Sequence, residues 1–227
     1  MDSNNVYLSG SAPAANGTVN DAYTYVAYDR AGQGQTFTTG ASEGGYLLTD
    51  IWVKHAGYTA NTAATYWMMA TGGGVTLRIT NPSQAGNAGF VLSSETYATT
   101  GSEGWPASTT NSLNGDSMWL HFKLASPVLL GTNTTYGFDL TSVTNLNAFF
   151  EWLGNSTNVF SGGGAYKGNT TGAADLNHVP LVGDRVFLLE LTPLARPLLA
   201  AKAVTGSQLE LSWPVTDAGY ALKCFSR

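Results

Sequence analysis

The chain has 227 residues, of which 43% are hydrophobic and only 11% charged, so it can bury a real core and does not read as disordered. A formal charge of -5, with ten Lys and Arg residues scattered singly, excludes a basic cluster able to neutralise several phosphates and so argues against a nucleic-acid partner. No apolar run approaches the roughly 20 residues of a membrane span, and the single cysteine, Cys224, allows neither an internal disulfide nor a cysteine-based zinc cluster.

Taken in chain order, the sequence opens on Met1-Asp2-Ser3 without the charged segment and apolar run of a signal peptide, so an expression start is expected to stand where that peptide would. Beyond it, period-two alternation recurs and helical periodicity does not. Thr36 to Thr39, Leu47 to Lys54, Val75 to Thr80, Gly89 to Ser93, Ser117 to Leu124, Thr135 to Leu140, Ala148 to Leu153 and Arg185 to Leu191 each read as strands bounded by turn residues. Eight such segments predict an all-β, two-sheet antiparallel β-sandwich of the jelly-roll kind over residues 1–193. In Ser117 to Leu124 the alternation sends Met118, Leu120, Phe122 and Leu124 to the core and leaves Trp119, His121 and Lys123 on the other face.

Three long connections carry aromatics: Ala56 to Gly74 with Tyr58, Tyr66 and Trp67, Ser94 to Gly115 with Trp105, and Asn155 to Val179 with Tyr166. Loops of that length in a compact domain are commonly functional. After Pro193 the pattern changes. Leu194 to Ala203 reads as a linker, and Leu209-Glu210-Leu211-Ser212-Trp213 as a short strand. Residues 194–227 are thus expected to be a linker and a truncated module, similar to the start of a fibronectin type III or immunoglobulin-like domain, too small to bury a core alone.

Gly34-Gln35-Thr36-Phe37-Thr38-Thr39-Gly40, followed by Gly45-Tyr46-Leu47-Leu48-Thr49-Asp50-Ile51, resembles the opening of bacterial secreted and surface modules of the choice-of-anchor type. Pro127-Val128-Leu129-Leu130 and Asn133-Thr134-Thr135-Tyr136-Gly137-Phe138 resemble paired strands of that group and of carbohydrate-binding jelly rolls. The resemblance spans roughly residues 30 to 192. It implies an extracellular or cell-surface location, within a larger secreted protein, and its motifs are structural.

Binding of a polysaccharide or oligosaccharide is the leading expectation, because sugar C–H faces stack on Trp and Tyr while hydroxyls bond to amides and carboxylates. The candidate contacts are Trp105, Trp67, Tyr66, Trp119, Trp152 and Tyr166. Trp52, alternating with Ile51 and Val53, is equally open to a core position. The alternative is a jelly-roll glycoside hydrolase acting on a plant-type β-glycan, which needs two carboxylates about 5 to 9.5 Å apart. Glu151, amid Phe149, Phe150 and Trp152, is the best acid, since apolar neighbours raise a carboxyl pKa. Glu103 and Glu43 are among its candidate partners. No nucleophile elbow or paired-histidine spacing occurs. No cofactor is required, although Asp184 and Asp50 are candidate ligands of a structural Ca2+. A plain spacer domain is the third reading.

Overall fold

The structure, a computed structural model, describes residues 6–8, 22–26, 30–56, 67–69, 74–98, 117–142, 148–156, 158, 160–195, 200–204 and 208–212. In chain order its strands are β1 Val6–Leu8, β2 Ala22–Val26, β3 Ala31–Thr38, β4 Tyr46–Ala56, β5 Trp67–Met69, β6 Gly74–Thr80, β7 Val91–Ala98 and β8 Ser117–Leu130. They continue with β9 Thr135–Ser142, β10 Ala148–Asn155, β11 Ala165–Thr171, β12 Val179–Pro180, β13 Asp184–Arg185, β14 Phe187–Pro193, β15 Ala200–Val204 and β16 Gln208–Ser212. Two single-turn 3-10 helices, Pro82–Gln84 and Ala88–Phe90, stand between β6 and β7.

Two antiparallel sheets make an all-β sandwich, as the alternation predicts. Sheet A runs β1-β14-β4-β10-β13, with β8 paired to the other side of β4 and β2 and β5 paired to β10. Sheet B runs β12-β11-β3-β9-β6-β7. The core lies between them. Sheet A sends in Ile51, Val53, Leu120, Phe122, Trp152, Phe187, Leu189 and Leu191, and sheet B answers with Phe37, Leu77, Ile79, Phe138 and Leu140. Phe138 joins the layers, its ring centroid 5.7 Å from Trp152 and 5.4 Å from Phe187.

β4 is not a simple alternating strand. Leu48 faces Leu191 and Asp50 faces Glu190, so Thr49 is an extra residue, a bulge against β14. Both Leu48 and Ile51 are buried as a result, and beyond the bulge Asp50, Trp52 and Lys54 alternate with the core residues Ile51 and Val53. On the other side β8 makes a larger excursion, since Asp50 pairs with Lys123 but Leu48 with Val128. The amides freed there are satisfied from sheet B: Ala125 N and Ser126 N donate to the Glu95 carboxylate, and the Tyr97 hydroxyl donates to Glu95 and to the Lys123 carbonyl.

Several local readings are corrected. Val91–Ala98 is the strand where Gly89 to Ser93 was expected, because Ala88–Phe90 forms a 3-10 turn that buries Phe90. Trp67 stands in β5, paired with Phe150, rather than in an unbroken loop. The Asn155 to Val179 connection contains β11, which pairs with β3. Ala200–Val204, overlapping the end of the expected linker, pairs with β16 in a two-stranded sheet of their own.

Candidate functional site

The most chemically loaded solvent-facing group lies on sheet A, on the face away from the core. Trp52 of β4 pairs in register with His121 of β8. Their rings stack almost coplanar, centroids 4.4 Å apart and planes 5° from parallel. Both are partly exposed. Asp50, two residues before Trp52, takes a hydrogen bond from His121 Nε2 at 2.6 Å, which fixes the imidazole against the indole. Lys123 and Glu190 are exposed opposite Asp50 on the flanking strands, and Lys54 follows Trp52 along β4. A flat aromatic pair edged by a carboxylate and an imidazole can stack on one ring and bond to its substituents.

The outer face of sheet B is different, because a second layer seals it. Arg78 of β6 grips Asp139 of β9 through two bonds, Nε to Oδ1 at 2.7 Å and Nη2 to Oδ2 at 2.8 Å, with both side chains 1% exposed. The Tyr166 ring lies over Gly34, where any Cβ would collide with it, and close above Gly137, where a Cβ would meet the Thr80 hydroxyl. Its hydroxyl donates to Asp139 Oδ2, and Thr80 Oγ1 stands 3.0 Å from it. Arg78 Nη1 also donates to the carbonyls of Ala173 and Asp175, which pins the 172–178 segment across the sheet. Burial alone would raise the Asp175 carboxyl, but amides of Thr170, Asn177 and Asn169 donate to it and hold its pKa below the ordinary value. The His178 ring packs on Tyr166 with centroids 4.3 Å apart and planes tilted by 32°, and burial lowers its pKa. With Tyr166 fully buried and the ion pair sealed, this cluster clamps a layer in place and offers no surface to a substrate.

These placements sort the residues singled out from the sequence. Trp152 is fully buried, with its Nε1 donating to the Val186 carbonyl at 3.0 Å, so it packs the core and presents no face to a ligand. Tyr166 is corrected in the same way: it is the lid over the sheet B glycines. Glu43 is exposed ahead of the start of β4, whereas Glu151 precedes Trp152, which pairs with His55 at the other end of that strand. His55 follows Tyr46 by nine positions along the strand, about 30 Å at the usual rise, so these two carboxylates cannot form a hydrolytic pair. Glu151 and Trp119 are placed in register, opposite Tyr25 and Lys54, but their side chains lie outside the described residues, as does that of Trp67. Trp105, Tyr66 and Glu103 fall outside them altogether.

Asp184 is buried, accepting from Gln35 Nε2 and the Phe160 amide, while Asp50 is bonded to His121, so the two proposed calcium ligands serve different partners. Among the described residues no three His, Cys, Asp or Glu side chains group to hold a metal ion. The face of Trp52 was the residue-level feature the alternation left open. His121 was legible as outward, but its pairing with Asp50 and Trp52 depends on the β4–β8 register, which no local pattern encodes. No protein-family model matches the chain, and no curated protein matches it in sequence.

Proposed function

We propose that this chain is a polysaccharide-recognising module of a secreted or surface protein, and that the Trp52–His121–Asp50 face of sheet A is where sugar rings rest. The observation that carries the reading is the coplanar, partly exposed Trp52–His121 stack, held by a 2.6 Å bond to Asp50. A stack left open on a sheet surface gives up apolar burial that an inward position would have supplied. Pyranose C–H faces recover that burial on binding. The side chains of Asp50 and His121 make no other hydrogen bond among the described residues, which leaves the second carboxylate oxygen and Nδ1 for ring hydroxyls.

Replacing Trp52 with alanine is expected to abolish retention in affinity electrophoresis on a panel of soluble polysaccharides. The variant should melt within a few degrees of the parent, because Trp52 lies outside the core. Retention unchanged by the substitution would remove this face from the reading. Reducing ends scored in the same reactions test the hydrolytic alternative.

A further inference from the structure

Polar bonds fasten the 172–178 segment over sheet B, and none of its residues joins the hydrophobic core. Arg78 Nη1 donates to the carbonyls of Ala173 and Asp175, and Gly86 N donates to the Leu176 carbonyl. The Asp175 carboxylate in turn accepts the amides of Asn169, Thr170 and Asn177. A segment held this way, without buried apolar contacts of its own, opens locally at a cost below that of global unfolding. His178 ends it. The imidazole packs on Tyr166 with ring centroids 4.3 Å apart, and its Nε2 is buried without a hydrogen-bond partner. A neutral ring leaves that nitrogen an unpaired acceptor, whereas a proton there makes a buried cation with nothing to receive its N–H.

We infer that residues 172–178 form an acid-opened strap over sheet B, released when His178 takes a proton at Nε2. Opening uncovers Tyr166 and the Arg78–Asp139 pair, which the closed strap conceals. The inference is independent of the face around Trp52. The titratable groups about the imidazole are Tyr166 on β11, Asp139 on β9, Arg78 on β6 and Asp175 on the strap itself. Lys167 alternates away from Tyr166 and is exposed, while β3, β12 and the two 3-10 turns carry no titratable side chain. Desolvation lowers the His178 pKa, outweighing a bond to its own backbone and the charge of Asp139, which raise it. The closed form thus resists the proton that an open strap, with an ordinary imidazole near pH 6.5, accepts. Closure is strongest above about pH 6.5 and weakens below it, by up to about tenfold in the open-to-closed ratio per pH unit. The neighbouring carboxyls act differently. Burial raises Asp139, so it takes its proton more readily when the strap is closed and favours closure as pH falls. Burial would also raise Asp175, but the amides bonded to it hold it below the ordinary carboxylate value, and its loss acts only in stronger acid. Tyr166, pushed up by burial, stays a phenol throughout.

The test follows hydrogen exchange of the Asn169, Thr170 and Asn177 amides in the full chain, as protection factors relative to amides of β6 and β9, between pH 7.5 and 5. The relative protection is expected to fall at least about fivefold in the parent. It should stay level in His178→Phe, whose ring keeps the contact with Tyr166 but binds no proton. A level parent, or the same fall in His178→Phe, overturns the inference. The His178 ring resonances of the parent supply a measurement that needs no variant. Their titration midpoint is expected below that of an imidazole in an unfolded peptide, and a midpoint at or above it overturns the inference.

Discussion

Replacing Asp139 with asparagine or Arg78 with methionine is expected to destabilise the protein by about 3–5 kcal/mol, the cost of leaving one buried charge without its partner. The pair is fully enclosed, and the guanidinium is divided among Asp139 and the carbonyls of Ala173 and Asp175. Burial pulls the Arg78 pKa down, but the bonds and charge of Asp139 outweigh it and keep the guanidinium protonated. Losing Arg78 also frees the 172–178 segment, so the damage should spread to the Tyr166–His178 contact. A double variant, Arg78→Met with Asp139→Leu, removes both charges and should recover a large part of the loss. Urea unfolding of the three variants measures this, and a loss under about 1 kcal/mol for the single changes would mean that water reaches the pair.

Trp152→Ala is expected to cost a similar amount, about 3–5 kcal/mol, as for other buried large-to-small aromatic changes. The indole packs on Phe138 between the sheets and gives its only N–H to the Val186 carbonyl, an oxygen that also accepts the Lys54 amide. Because that carbonyl keeps its second donor, Trp152→Phe should be much milder than Trp152→Ala. Thermal or urea unfolding separates the cases. A Trp152→Ala protein as stable as the parent would contradict the core placement.

The fold was legible where alternation is local. Leu120, Phe122 and Leu124 are buried, while His121 is partly exposed and Lys123 exposed, as period two requires. What stayed hidden depends on distant partners. The Thr49 bulge reverses which residues of β4 face inward, and it is visible only in the register with β14, so Trp52 could not be assigned a face from its neighbours. Tyr166 follows a Ser-Gly-Gly-Gly run that reads as loop, yet β3 pairs with its strand across some 130 positions, and glycines 34 and 137 leave room for its ring. Arg78 and Asp139 alternate with core residues along their strands, and nothing in that local pattern shows that they are buried and paired. The 172–178 segment, which carries no apolar pattern of its own, is what covers them.

The candidate site was legible only in part. Asp50 was noticed as an oxygen ligand, but its bond to the His121 imidazole on the neighbouring strand β8 gives it a different task. Of the expected aromatic contacts, Trp152 and Tyr166 proved to be packing residues. Trp52, left open between core and surface, now holds the central position.

The most direct test of the account follows the indole N–H resonances of the parent protein during titration with a soluble polysaccharide that retains it in affinity electrophoresis. Trp52, assigned by its absence from the Trp52→Ala spectrum, is predicted to shift progressively and in step with the His121 ring signals, while Trp152, bonded to Val186 inside the core, stays in place. A titration that moves other indoles and leaves Trp52 and His121 unshifted would contradict the claim that sugars rest on this face.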